Sequence, residues 1–478
     1  MTWGNVQHFM PVLVFPCVFG YNPISVATHS FKLNPPMRVT TVKLKNFRGC
    51  RDVEIRLHEK LNVFCGVNGS GKSTILDAIA ISLSCLANRV KTNNAPGRPI
   101  AESSIHNEAD FAKIVLSGTF REKEFSTTLI KTRRGHTADE RTDLQKAKEV
   151  IEIIRHGINR SSSIRLPLLA YYPINRPVLK VPLQPDMKRE SSVFEANDGA
   201  LTGAANFHAF FKWFRNQEDI ANERCRDTLY PTDDSTQRRK KGAYYGDPQL
   251  QIVRDAITAF MPDFNDLIVR RTPLRMEVLK NEKWFQIDQL SDGEKCLMAM
   301  VGDIARRLAI ANPGDRVPPK GTVANFKGRT PLEGNGIILI DEIDLHLHPQ
   351  WQRMVLPKLM ETFPNCQFIV STHSPNVLTH VRPESLFLLS MRNEELAVDK
   401  PRTSYGRSVE RILLDNMGLR TTRPESVAKD LDMIYTWIEV GEFSKAKKKI
   451  EHLREDMSDD PELVRSSALI KRKELIGK

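Results

Sequence analysis

Leu61 to Cys65 runs directly into Gly66-Val67-Asn68-Gly69-Ser70-Gly71-Lys72-Ser73, and a helically spaced apolar set, Ile75, Leu76, Ile79, Leu83 and Leu86, follows at once. A short buried strand, a glycine-rich loop and a helix in that order restrict the chain to an α/β architecture built around a parallel sheet. In such a loop the glycines let backbone N–H groups turn inward around phosphate oxygens, and the helix N-terminus adds its partial positive charge. Gly66, Asn68, Gly69, Ser70, Gly71, Lys72, Ser73 and Thr74 are therefore the expected phosphate-binding set. Lys72 would reach the β- and γ-phosphates, and the Ser73 hydroxyl would ligate Mg²⁺.

Downstream segments supply what the loop lacks. Ile337 to Ile340 is a run of aliphatics suited to a strand buried on both faces, and it ends on Asp341 and Glu342. Asp341 is placed to hold Mg²⁺ through water and Glu342 to polarise an attacking water. Leu290-Ser291-Asp292-Gly293-Glu294-Lys295 opens a helix, with Ser291 as N-cap and Glu294 three residues on. It reads either as a well-capped helix alone, or as a turn whose Ser291, Gly293 and Glu294 meet the γ-phosphate held by an opposite subunit. Asp344 and His348 would then lie at the seam. His373, in Ser371-Thr372-His373-Ser374 after a strand over Gln367 to Ser371, would sense the γ-phosphate from its own subunit.

The 478 residues suffice for two or three domains. A net charge of +12 fits a nucleic-acid partner without requiring one. Cys17, Cys50, Cys65, Cys85, Cys225, Cys296 and Cys366 are scattered without a C-x-x-C pair, which argues against a zinc ribbon or disulfide framework and fits a reducing cytoplasm. No run approaches the ~20 apolar residues of a membrane span. Residues 1–36 are read as an N-terminal extension, an over-extended start being one account, because Met37 stands immediately before a natural domain start.

Arg38 to Lys45 and Asp52 to Leu57 alternate as a strand pair around Asn46-Phe47-Arg48-Gly49, and Phe111 to Phe120 with Glu124 to Lys131 forms another. A helix is expected over Glu140 to His156 and a strand over Leu166 to Tyr172. We divide the chain into an N-terminal ATPase lobe (37–185), a helical insertion (186–248), a C-terminal lobe (249–395) and a helical partner-docking region (396–478). The insertion carries Phe207, Phe210, Phe211, Trp213 and Phe214 on one helix, then an exposed loop over Asp233 to Gly242. In the last region, helical from Ser404, Leu431, Ile434, Trp437 and Ile438 share a face before a lysine-rich helix at Lys445 to Lys449. That apolar face either covers an edge of the ATPase or docks a partner.

Taken together, FRGCRDVEI, GVNGSGKST, LSDGEK, IILIDEIDLHLHP and STHSP resemble the SMC/RecF-like branch of ABC-type ATPases. That resemblance implies a P-loop head that dimerises around two ATP molecules with Mg²⁺. LLAYYPINRPV, FHAFFKWFRNQEDI and the tail YGRSVERILLDNMG are similar to the anti-phage ATPases of the Septu group (PtuA) and their retron-associated relatives. From that likeness follow a homodimer or higher oligomer and an HNH nuclease partner (PtuB-like). In a retron setting it also implies a reverse transcriptase with its non-coding RNA and DNA. Asp292 and Glu294 depart from the transporter-type LSGGQ signature, as both do in this branch. Ile105-His106-Asn107-Glu108, the expected lid-coupling segment, holds no glutamine. The matching arginine of SMC-like heads approaches the nucleotide, which makes Arg48 a candidate to do so. No nuclease motif stands out in the chain itself, and the alternative to a defence sensor is a RecF-like repair ATPase that binds DNA directly.

Overall fold

The computed structural model describes residues 36–160, 165–175, 192–202, 207–229, 247–313, 330–392 and 395–476. All but the last residue of the extension read over 1–36, and the loop read over 233–242, lie outside them. Strand β1 (Arg38–Phe47) turns into β2 (Cys50–Arg56), and β3 (Leu61–Gly66) feeds the glycine loop and α1 (Lys72–Lys91). The hairpin β4 (Phe111–Phe120) and β5 (Lys123–Thr132) precedes α2 (Gln145–Arg160). These strands make an antiparallel sheet in the order β2-β1-β4-β5. Its register sets Val42 opposite Leu116 and Leu44 opposite Ile114, all fully buried, while Lys43 and Lys45 take the solvent face. Helix α1 has the length and composition to cross a bilayer, yet 78% of its apolar window is buried inside the fold.

Strand β6 (Leu168–Tyr172) leads to α3 (Phe207–Leu229) and α4 (Pro248–Phe260). An antiparallel sheet of β7 (Phe264–Arg271), β8 (Leu274–Lys280) and β9 (Lys283–Gln286) follows, then α5 (Asp292–Ala311). The chain continues through β10 (Gly336–Ile340), α6 (Pro349–Thr362), β11 (Cys366–Thr372), a helical turn α7 (Pro375–Leu378), β12 (Leu386–Arg392) and β13 (Glu395–Asp399). The central sheet runs β13-β12-β3-β11-β10-β6, parallel throughout except at β13. Its apolar runs serve two cores at once. Val63, Ile338, Ile340, Phe368 and Val370 pack with α3, α4 and α5, whereas Phe64, Ile337, Leu339 and Ile369 pack with α1 and the antiparallel sheet. Buried Gln367 ties the two sheets, accepting the Val39 N–H and donating to its carbonyl, each at 2.8 Å.

The aromatic face read as part of an insertion belongs to the central core. Phe210, Phe211 and Phe214 are fully buried, and a Cβ on Gly302 of α5 would lie 2.4 Å from the Phe210 ring. Glycine at 302 lets α3 and α5 approach. Below that contact Asp303 accepts the Tyr172 hydroxyl at 2.9 Å and pairs with Arg306 at 2.6 Å and Arg307 at 2.7 Å. Burial pushes the Asp303 carboxyl up, but Arg307 and Arg306 hold it below the usual carboxylate range.

Helix begins at α8 (Val409–Asp415) rather than at Ser404, because Ser408 is the residue that caps it, its hydroxyl accepting the Arg411 N–H at 3.3 Å. Helices α9 (Glu425–Glu439), α10 (Phe443–Met457) and α11 (Pro461–Ile476) then share a core of their own. That corrects the docking reading of the 431–438 face. Leu431, Ile434 and Ile438 are buried against Ile450, Leu463 and Ile470, with Trp437 packed beside them, so the face is used inside the bundle. Three of the four lysines of α10 are paired as well: Lys445 with Glu442, Lys447 with Glu474 and Lys449 with Asp430.

Candidate nucleotide site

Strands β3, β11 and β10 are neighbours and parallel, so their C-terminal ends bring the glycine loop, Thr372-His373 and Asp341-Glu342 to one edge of the sheet. Ligands of open α/β sheets bind at such an edge. The loop is shaped by its glycines. Gly69 and Gly71 take φ of 79° and 89°, the left-handed region that other residues avoid. A Cβ on Gly66 would lie 2.3 Å from the Leu389 carbonyl oxygen and 2.5 Å from Ser70 Oγ.

Lys72 Nζ donates to the carbonyls of Gly66 and Val67, both at 3.0 Å, which holds the ammonium against the inside of its own loop. Burial lowers the Lys72 pKa, opposed by the negative fields of Cys65, Glu342, Asp341 and Asp344. Ser70 Oγ is buried and makes no hydrogen bond, while Val67, Asn68 and Gly69 are exposed and Ser73 and Thr74 are half-buried at the start of α1. A loop closed to a Cβ at Gly66 and left-handed at Gly69 and Gly71, a buried hydroxyl in need of a partner and a lysine on a helix N-terminus fit a phosphate chain. Among the described residues no group of three or more His, Cys, Asp and Glu could hold a metal. Mg²⁺ here would take Ser73, Asp341 and phosphate oxygens, the usual division for this ion.

The acids are held by the strand beside them. The Asp341 N–H donates to the Tyr172 carbonyl at 2.8 Å, and the Ser371 hydroxyl donates to Asp341 Oδ1. Ser371 Oγ also accepts the Glu342 N–H at 2.8 Å, and the Ser371 carbonyl accepts the Ile343 N–H at 2.9 Å. His373 Nε2 stands 3.8 Å from Glu342 Oε1. Burial lowers the His373 pKa and the nearby Lys72 charge lowers it further, against Glu342, Asp344 and Asp341. The imidazole is accordingly neutral at pH 7.

Asp344 accepts the Thr372 hydroxyl at 2.5 Å and the His373 N–H at 3.4 Å, so within one chain it closes the end of β11. His348 caps α6, its ring nitrogen accepting the Gln350 N–H at 3.3 Å.

The 291–294 turn stands apart from this group. Ser291 and Glu294 form a reciprocal capping box, with the Glu294 N–H donating to Ser291 Oγ at 3.3 Å and the Ser291 N–H to Glu294 Oε2 at 3.1 Å. Burial raises Glu294, but Lys280 at 2.7 Å and Ser291 pull its carboxyl below the ordinary value. Among the described residues no hydrogen bond joins Ser291 or Glu294 to the 66–73 loop. Gly293 is buried, and a Cβ there would lie 2.4 Å from the His346 carbonyl oxygen. Glycine is thus required inside the chain, where the turn packs on the segment after Asp344.

Arg48 is engaged with α1: its guanidinium meets Asp77 at 2.5 Å, and Arg98 meets the other oxygen at 2.6 Å. Asp77 lies one turn beyond Ser73 on the same helix face. The Ile105–Glu108 segment is stitched to the same turn, the His106 N–H donating to the Asn46 carbonyl at 2.9 Å. Sequence reasoning passed over Ser371, Tyr172 and Asp77. A carboxylate inside an otherwise apolar helix was the available signal for Asp77; nothing in the spacing singled out Tyr172.

A family model described as AAA domain, putative AbiEii toxin, Type IV TA system matches residues 61–379, from β3 through α7 and so across every element of this site. The chain belongs to this AAA-domain family. Its resemblance to the SMC/RecF-like ABC ATPases, drawn from the motifs, stands with that membership. The Retron Ec83 probable ATPase of Escherichia coli is 30% identical over 74% of this chain and 71% of its own length. The Retron Vc95 probable ATPase of Vibrio cholerae is 32% identical over 75% and 74%. The Septu protein PtuA of Bacillus mycoides is 30% identical over 36% of this chain and 22% of its own length.

Proposed function

We propose that the chain is the ATP-binding and hydrolysing sensor subunit of a cytoplasmic anti-phage defence complex of retron or Septu type. The observation that carries this reading is the convergence of Lys72, Asp341, Glu342 and His373 at one sheet edge, in a chain similar to retron ATPases over three quarters of its length. In this reading Gly66 to Thr74 bind the triphosphate, and Ser73 and Asp341 hold Mg²⁺, which shields the phosphate charge when bound. Glu342 orients the attacking water and takes its proton. Neutral His373 donates a hydrogen bond toward the γ-phosphate without adding charge. Ser291, Gly293 and Glu294 of a second copy complete each site, with Asp344 at the seam, so that nucleotide is sandwiched and closure reports its presence.

The partner controlled by closure is an HNH nuclease, joined in a retron setting by a reverse transcriptase and its nucleic-acid product. Co-purification with the products of neighbouring genes, with and without ATP, tests the assignment. A stable complex with an HNH protein supports it. A chain that purifies alone yet binds DNA ends with ATP-stimulated affinity is a RecF-like repair ATPase instead.

A further inference from the structure

Between β13 and α8 the chain crosses beside α7 as a loop pinned at three points. The Ser404 hydroxyl donates to the Val381 carbonyl at 2.5 Å, the Gly406 N–H to the Thr379 carbonyl at 2.9 Å, and the Asn416 side chain to the Thr403 carbonyl at 3.0 Å. Gly406 has φ of 73°, and a Cβ there would meet nothing within 4 Å, so glycine serves the backbone conformation rather than space. What this pinning presents to solvent is Tyr405, 61% exposed, with the Arg382 guanidinium 5.4 Å from its ring centre.

The cations near it are available to a ligand. Arg353, Arg382 and Arg407 are exposed, and among the described residues none is in an ion pair or a side-chain hydrogen bond. Around the β7–β8 hairpin, by contrast, arginines are matched: Arg270 and Arg275 share Glu277, and Arg254 and Arg271 share Glu218. Arg353 lies close enough to His380, one residue beyond Thr379, to add to the burial that lowers that imidazole's pKa. The acid in the same turn, Glu384, is exposed and forms no ion pair among the described residues, leaving an excess of positive charge.

We propose that Tyr405, Arg353, Arg382 and Arg407 form a binding surface for single-stranded nucleic acid. Tyr405 is 61% exposed with Arg382 against its ring, which leaves aromatic surface to stack a base, and the guanidinium groups match the phosphates on either side. A folded acidic protein surface would use the charge but leave the aromatic idle. The surface extends the proposed function by supplying a partner class. It hangs from the same strand end as His373, since α7 starts two residues beyond that histidine.

The test is fluorescence anisotropy of a labelled oligothymidylate of about 20 nucleotides with the full-length protein, beside labelled polyglutamate. Tyr405→Ala should weaken oligonucleotide binding about tenfold while Tyr405→Phe holds it, as expected for a stacked base. Arg382→Glu with Arg407→Glu should lower the slope of log affinity against log salt by roughly 1.4, about 0.7 for each phosphate no longer neutralised. Lys448→Glu, remote on α10, should change neither. Absent binding by the wild-type protein, equal binding of polyglutamate, or indifference to Tyr405→Ala would overturn the proposal. ATP hydrolysis without oligonucleotide is measured in parallel: its absence removes the ATPase reading and leaves the surface standing.

Discussion

The Ser371 hydroxyl accepts the Glu342 N–H at 2.8 Å while donating its own proton to the Asp341 carboxylate. One side chain thus orients two consecutive acids. Glu342 needs that support because its φ is 46°, a left-handed conformation that costs a non-glycine residue about 1–3 kcal/mol. Ser371→Ala should lower kcat at least about tenfold, the scale of a lost supporting hydrogen bond near a metal ligand, with little change in the KM for ATP. Ser371→Thr should recover much of the loss in steady-state assays. A parallel rise in KM would assign Ser371 to general structure.

Lys72 binds two carbonyls of its own loop at 3.0 Å, and no other cation among the described residues is hydrogen-bonded to them. Lys72→Ala should abolish nucleotide binding measured by titration calorimetry, leaving the melting temperature of the protein without nucleotide nearly unchanged. Retained ATP affinity would remove the loop from the site.

Glu342→Gln keeps the shape of the side chain and its N–H bond to Ser371 but removes the base. Hydrolysis should fall by about 10²–10⁴, the range for a lost general base, while ATP binding persists. Light scattering should then show a long-lived ATP-dependent dimer of the 54.4 kDa chain. Undiminished hydrolysis would take Glu342 out of the mechanism.

Asp303 is the anion that Tyr172, Arg306 and Arg307 share. Asp303→Asn leaves two buried guanidinium groups underpaired and should cost about 3–5 kcal/mol in urea unfolding at pH 7. Because the folded carboxyl titrates below its unfolded value, its contribution is present above the ordinary carboxylate range and is lost as pH falls. The wild-type protein should therefore lose stability toward acid more steeply than the variant.

What could be read from the sequence was what has a local cause. The strand, glycine loop and helix at 61–91, the apolar run before Asp341, and the capping box at Ser291 each rest on neighbouring residues, and each lies where expected. The β7–β9 sheet was not anticipated. Its clearest signal was the turn at Asn281-Glu282, where both residues take positive φ of 47° and 63°. The bundle core escaped for a different reason. The face at Leu431, Ile434 and Ile438 showed that something must cover it, but helical spacing does not say whether the cover is a partner or the chain's own α10 and α11. The hydrogen bonds of Ser371 join residues 29 and 30 positions apart, beyond any local pattern.

In the proposed mechanism each ATP is hydrolysed between the Lys72 loop of one copy and the Ser291 turn of another. Lys72→Ala and Ser291→Arg chains, each inactive alone, should regain hydrolysis when mixed in equal amounts, because half of randomly paired dimers then hold one intact site. The expected rate is about a quarter of the wild-type value for independent sites in a two-fold dimer. A mixture as inactive as its components, beside an active wild-type control, would contradict the account.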